Sequence, residues 1–138
     1  MKNILQKIQS MKVAVIGDFC LDVYWTADMT KSELSRETPQ FPLPIVEERM
    51  SPGGAGNVVC NLCALRPASV RCIGDFGKDW RGNVLVRLLQ EAGAKTDGIF
   101  ISDQRKTNTY IKPLKKGFSD IVYEAPRLDF TNYKELPQ

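Results

Sequence analysis

The order of the apolar segments constrains this chain more than any single motif does. Lys12–Ile16 is a short β-branched run stopped by Gly17 and Asp18, the pattern of a buried strand. Ser51–Gly56 opens a helix that reaches about Leu65, with Val58, Leu62 and Leu65 on one face. Ser69–Ile73 is a second strand, ended by Gly74. From Trp80 to Ala92, the positions of Val84, Leu85, Leu88 and Leu89 trace an amphipathic helix that Gly93 stops. Gly98–Ile101 reads as a third strand. Strand, helix, strand, helix, strand predicts an α/β fold with a parallel sheet wound by right-handed crossovers. Ile4, Leu5, Ile8 and Met11 mark a short amphipathic helix ahead of it.

Two segments break the rhythm. The stretch from Val23 to Met50 is polar and carries Pro39, Pro42 and Pro44. Those prolines exclude a central strand or a helix and leave loop or edge structure. Ile45–Met50 then reads as an exposed strand. Later, Thr107–Lys112 and Asp120–Tyr123 flank Lys116 and Gly117 as the arms of a hairpin. The two excursions, about 23–50 and 107–124, are expected to pair into a small β lid over one edge of the main sheet. Three core strands are few for a doubly wound domain, so the 138 residues read as part of a larger fold.

Composition removes many functions. The chain has no histidine, which excludes Ser-His-Asp and Cys-His catalysis and any His-ligated zinc. Nineteen Lys and Arg against sixteen Asp and Glu give a net charge of +3, with no basic run beyond Lys115 and Lys116. No nucleic-acid partner is expected from that balance. No apolar run approaches the roughly eighteen residues of a membrane span, and the first ten residues lack the apolar centre of a signal peptide. The expectation is a soluble, cytoplasmic protein without a membrane partner. Cys60 and Cys63 form a C-x-x-C pair that Cys20 and Cys72 could complete as a four-thiolate zinc site. Each thiol has apolar neighbours and there is no second C-x-x-C, so core packing without metal is the stronger expectation.

Two corners could carry chemistry. Gly53, Gly54, Ala55, Gly56 and Asn57 precede a helix. Glycines let a ligand approach the backbone, and a helix start presents unpaired amides. The same residues also make a plain strand-to-helix turn with Asn57 near the cap. They match neither the P-loop nor G-x-G-x-x-G. Asp18 and Asp22 follow the carboxyl end of the first strand, where open α/β sheets bind ligands. A carboxylate there can accept from sugar hydroxyls, or simply fix a turn. Asp79, within Gly74–Gly82, reads as a helix cap.

Taken in order, the motifs are Val15-Ile16-Gly17-Asp18 with Leu21-Asp22, then Thr38–Val46 with its three prolines, then Pro52–Val58, then Gly74–Gly82. This succession resembles the ribokinase or PfkB carbohydrate kinases over about residues 11–132. Within them it is most similar to the heptose-7-phosphate kinase branch. That branch carries a Tyr-Trp pair, matched by Tyr24 and Trp25. It also carries a Ser-Arg segment followed by prolines, matched from Ser35 and Arg36 to Pro44, and a late Arg-Leu-Asp-Phe, matched by Arg127–Phe130. Gln40, Gly56 and Tyr110 depart from the branch's usual residues, and they bear on which sugar is taken.

The resemblance implies a ribokinase-like, doubly wound, mostly parallel sheet with a small β-sheet lid, of which this chain is the N-terminal half. It implies that Asp22 grips sugar hydroxyls and that Gly53, Gly54 and Asn57 form the floor of the sugar site. Arg36 and Lys112 fall on lid segments, where cations can meet a sugar phosphate. ATP and Mg belong to the intact enzyme. The family's base is the Asp of a G-A-G-D motif, and that motif does not occur here. The chain by itself is therefore expected to hold neither ATP nor metal and to be inactive. The other readings are a non-catalytic module that binds sugar or forms a homodimer through its lid strands, and, last, a dinucleotide-binding domain without the glycine fingerprint.

Overall fold

A computed structural model describes residues 2–119 and 121–133. Its elements are α1 (Lys2–Ile8), β1 (Lys12–Ile16), β2 (Phe19–Asp28), β3 (Ile45–Gly54), α2 (Ala55–Ala64), β4 (Ser69–Gly77), α3 (Trp80–Glu91), β5 (Lys95–Ser102), β6 (Thr109–Lys116), β7 (Val122–Glu124) and β8 (Leu128–Phe130). A 3-10 turn, Met29–Lys31, follows β2. The described residues divide into two compact units. One takes in 2–21, 51–109 and 130–133; the other takes in 22–50 and 110–129.

In the first unit β1, β4 and β5 form a parallel sheet in the order β1-β4-β5. Helix α2 packs on β1 and β4, and α3 packs on β4, β5 and α2, so both helices cover one face. Between them and the sheet lie Val59, Val70, Cys72, Phe76, Leu85 and Leu89, all buried. The Phe19 ring meets Phe76 edge-on at 5.7 Å. Local chemistry sets the bounds of α3. Asp79 caps its start, accepting from the Gly82 amide at 2.8 Å. At its end Gly93 takes φ +93°, and the Gly93 and Ala94 amides donate to the carbonyls of Gln90 and Leu89. That pair of bonds is a Schellman closure.

One expectation fails here. Lys12–Ile16 reads as a buried strand, yet β1 is half-exposed along its length and Ile16 is 76% exposed. Among the described strands of its sheet β1 pairs with β4 alone, and the two helices leave the other face open. Parallel sheets are ordinarily covered on both faces. The apolar composition of β1 fits that general environment, and the described residues supply one of the two covers. The first helix forms but ends at Ile8, so Met11 lies beyond it, and both Ile4 and Met11 are exposed.

The second unit is built around a second sheet in the order β3-β2-β6-β7, with β8 also pairing with β6. The hairpin β6–β7 is antiparallel, with Leu114 opposite Glu124 and Lys116 opposite Val122. Asp120, the expected first residue of its second arm, lies outside the described residues. Alternation divides β2 and β6: Val23, Ala27 and Ile111 are buried, while Asp22, Tyr24, Tyr110 and Lys112 are half-buried. The proline stretch from Ser32 to Pro44 is loop, as the sequence predicts. Strand β2 is the surprise, because ten residues from Phe19 run as strand where the sequence suggests a turn.

Candidate sugar site

In the first unit the glycine corner joins β3 to α2. Strand β3 runs through Ser51, Pro52 and Gly53 rather than ending at Met50, and α2 starts at Ala55. Gly54 is the helix N-cap, with φ +54° and ψ −127° and no side-chain cap bond. Only glycine adopts that backbone without strain. The Ala55 amide donates to the Asp18 carbonyl at 2.9 Å, which ties the corner to the end of β1. A Cβ on Gly54 would stand 2.5 Å from that same carbonyl oxygen. Gly53 is buried, and Asn57 is exposed on the first helical turn. Asp18 satisfies the Ala55 amide, and no side chain caps the amides that follow it in this first turn.

Asp18 belongs to the scaffold of this corner. Its carboxylate accepts from the Asn108 amide group at 2.9 Å, and Asn108 accepts in turn from Asn132 at 3.0 Å. The sequence pairs Asp18 with Asp22; the fold gives Asp18 structural work and puts Asp22 inside β2, in the other unit. Asp79 is equally structural. One of its oxygens caps α3, and the other accepts from the Thr107 amide at 3.0 Å.

In the second unit Asp22 and Lys112 come together on neighbouring strands, 90 residues apart in sequence. The Lys112 ammonium donates to Asp22 Oδ1 at 3.2 Å and to the Tyr24 hydroxyl at 3.2 Å. Both charged side chains are about four-fifths covered, at 22% and 21% exposure. The ammonium also lies 4.8 Å from the centre of the Tyr24 ring, and the Arg49 guanidinium lies over that ring at 4.1 Å. Burial pushes the Lys112 pKa down, but the bonds to Tyr24 and Asp22 outweigh it, and the ammonium titrates above the usual lysine value.

Arg36 stays apart from this cluster. It is exposed in a turn held by the Ser35 amide on the Gln40 carbonyl, and among the described residues it makes no ion pair or hydrogen bond. The sequence offered no reason to single out Arg49. Its partnership with Tyr24 depends on β3 lying beside β2, and strand order is not written in local composition.

Two of the four thiols, Cys20 and Cys72, belong to the core. Cys60 and Cys63 are half-buried, and none of the four forms a disulfide. Burial raises Cys60 and Cys63 above the ordinary thiol value and lifts Cys72 to about 11. A cavity of about 380 Å³ lined by Lys12, Ser69, Arg71 and Lys95 lies at the amino-terminal ends of the parallel strands. Open α/β sheets bind ligands at the other end. No helix among the described residues is long and apolar enough to cross a membrane.

The first unit carries a parallel sheet and the glycine corner, and the second carries a β sheet with a part-buried carboxylate, Asp22. Residues 10–135 match the pfkB family of carbohydrate kinases, and the chain belongs to that family. It is 34% identical to the D-beta-D-heptose 7-phosphate kinase of Bordetella bronchiseptica, over 94% of this chain and 39% of that protein. It is 35% identical to the bifunctional protein HldE of Citrifermentans bemidjiense, over 78% of this chain and 21% of that protein. Among solved structures, a carbohydrate kinase from Agrobacterium tumefaciens superposes with a TM-score of 0.60 at 25% identity, covering 83% of this chain and 35% of that one. A fructokinase from Xylella fastidiosa with bound ATP gives 0.55 at 23% identity, over 76% and 30%. The fold is that of the ribokinase-like sugar kinases. The chain spans between about a fifth and two-fifths of the curated relatives it matches.

Proposed function

We propose that this chain is the sugar-binding half of an ATP-dependent carbohydrate kinase that phosphorylates a hydroxyl of a sugar or sugar phosphate. Heptose 7-phosphate is the first candidate. The observation that carries this reading is the match to a heptose 7-phosphate kinase across 94% of the chain. Asp22 accepts from sugar hydroxyls through charge-assisted bonds. Gly53, Gly54 and Asn57 offer a backbone edge and an amide side chain, and Arg36 and Lys112 bring cations from the lid segments.

Phosphoryl transfer needs positioning of the acceptor, a base for its hydroxyl, and charge stabilisation around the phosphate. The residues here suit the first task alone. Among the described residues no cluster of three or more acidic, Cys or His side chains is placed to hold a metal. No step through Mg or ATP is assigned to this chain, and both belong to the intact enzyme. The test is calorimetric titration with heptose 7-phosphate, alongside a coupled ADP-release assay. The expected result is saturable sugar binding that Asp22→Asn weakens at least tenfold, without turnover. ATP-dependent phosphorylation by the purified 138-residue chain would overturn the division of labour.

A second reading, a non-catalytic module that dimerises through its lid strands, draws on the exposed apolar side chains of the β6–β7 hairpin. Phe118 is 98% exposed, and Val122 and Tyr123 on β7 are exposed beside it. Dimerisation in sedimentation runs with no response to sugar favours it.

A further inference from the structure

The cations singled out on the lid segments differ in one physical respect. Arg36 is solvated, whereas the Lys112 ammonium is mostly covered and already engaged twice, by Asp22 Oδ1 and by the Tyr24 hydroxyl, each at 3.2 Å. An arriving phosphate would meet a cation whose charge is compensated by a carboxylate in contact. The same geometry makes Lys112 well suited to a different task. Asp22 Oδ2 accepts no hydrogen bond from the described residues, so Lys112 fixes one oxygen and leaves the other available. Tyr24 is itself held in place, with the Arg49 guanidinium over its ring at 4.1 Å.

We propose that Lys112 is a positioning residue: braced by Tyr24, it orients the Asp22 carboxylate so that Oδ2 accepts from a sugar hydroxyl. The inference rests on the sugar-binding reading above and gives Lys112 a role that acts through Asp22 rather than on the substrate's phosphate. A carboxylate on a strand can otherwise rotate about its side-chain torsions, and holding one oxygen removes that freedom before the sugar arrives. Arg49, Tyr24, Lys112 and Asp22 form one connected set across β3, β2 and β6.

The test is a double-mutant cycle on the 138-residue chain, with heptose 7-phosphate as probe and the dissociation constant as readout. Lys112→Met is expected to weaken binding on the order of tenfold, the factor a charge-assisted bond is worth. In the Asp22→Asn background the same change is expected to do little, and Lys112→Arg is expected to recover most of the loss. Tyr24→Phe, which removes the brace and keeps the ring, gives a smaller loss of the same kind and serves if Lys112→Met fails to fold. Additive losses would show that Lys112 acts on the substrate directly and sink the proposal, as would a Lys112→Met variant that binds like wild type. In both results the sugar-binding reading survives. A wild-type chain that ignores heptose 7-phosphate removes both.

Discussion

Replacing Gly54 with alanine tests the geometry of the glycine corner directly. At φ +54° and ψ −127° an alanine sits in a region that only glycine populates freely, a strain of about 1–3 kcal/mol. Its Cβ would stand 2.5 Å from the Asp18 carbonyl oxygen, and that neighbour is backbone that cannot swing aside like a flexible side chain. Relieving the clash pulls the carbonyl away from the Ala55 amide, which it accepts at 2.9 Å. A broken bond with an unsatisfied amide adds roughly 1–3 kcal/mol. Together these give about 4 kcal/mol, a large share of the roughly 5–15 kcal/mol that holds a typical domain. Two other glycines serve as controls. Gly93 also has positive φ, at +93°, but a Cβ there meets nothing within 4 Å. Gly93→Ala should therefore cost only the backbone strain, about 1–2 kcal/mol. Gly117 has open space and no positive φ, so Gly117→Ala should be neutral or slightly stabilising. Urea unfolding reads the series: at a slope of roughly 1–3 kcal/mol per molar, Gly54→Ala should move the midpoint by more than about 1 M. If Gly54→Ala falls within experimental scatter of Gly93→Ala, the close approach to Asp18 is not the constraint argued here.

Two further outcomes follow from the first unit. Cys72 titrates at about 11 when folded against an ordinary 9.0. Between those values the unfolded chain releases a proton that the folded chain retains. Stability is therefore full below pH 9 and falls as pH rises toward 11, by roughly 1.4 kcal/mol per unit at most. Cys72→Ala should flatten that alkaline slope in chemical unfolding, and an unchanged slope would show that the buried thiol is not its source. Asp79→Ala leaves the Gly82 and Thr107 amides without their acceptors and should cost about 2–4 kcal/mol. Asp79→Asn, with one carbonyl oxygen left, should cost about half as much by thermal unfolding. Equal losses in the two variants would mean that only one of the bonds matters.

What could be read from the sequence was what neighbouring residues enforce on each other. The β-branched runs at Lys12–Ile16 and Ser69–Ile73 became β1 and β4, and α3 spans Trp80–Glu91 within one residue of expectation. Asp79 and Gly93 bound that helix because capping bonds and positive φ act within a single turn. The pfkB likeness was legible for the same reason, since its motifs are short turns with fixed residue types. The fold decided everything that depends on which strands lie side by side. It turned Phe19–Asp28 into a strand and spent the Asp18 carboxylate on Asn108. It also set Lys112 against Asp22 across 90 residues and laid Arg49 over Tyr24. Periodicity says which way a side chain faces along its own strand, but the choice of neighbouring strand is made by packing among distant segments, which local sequence does not encode.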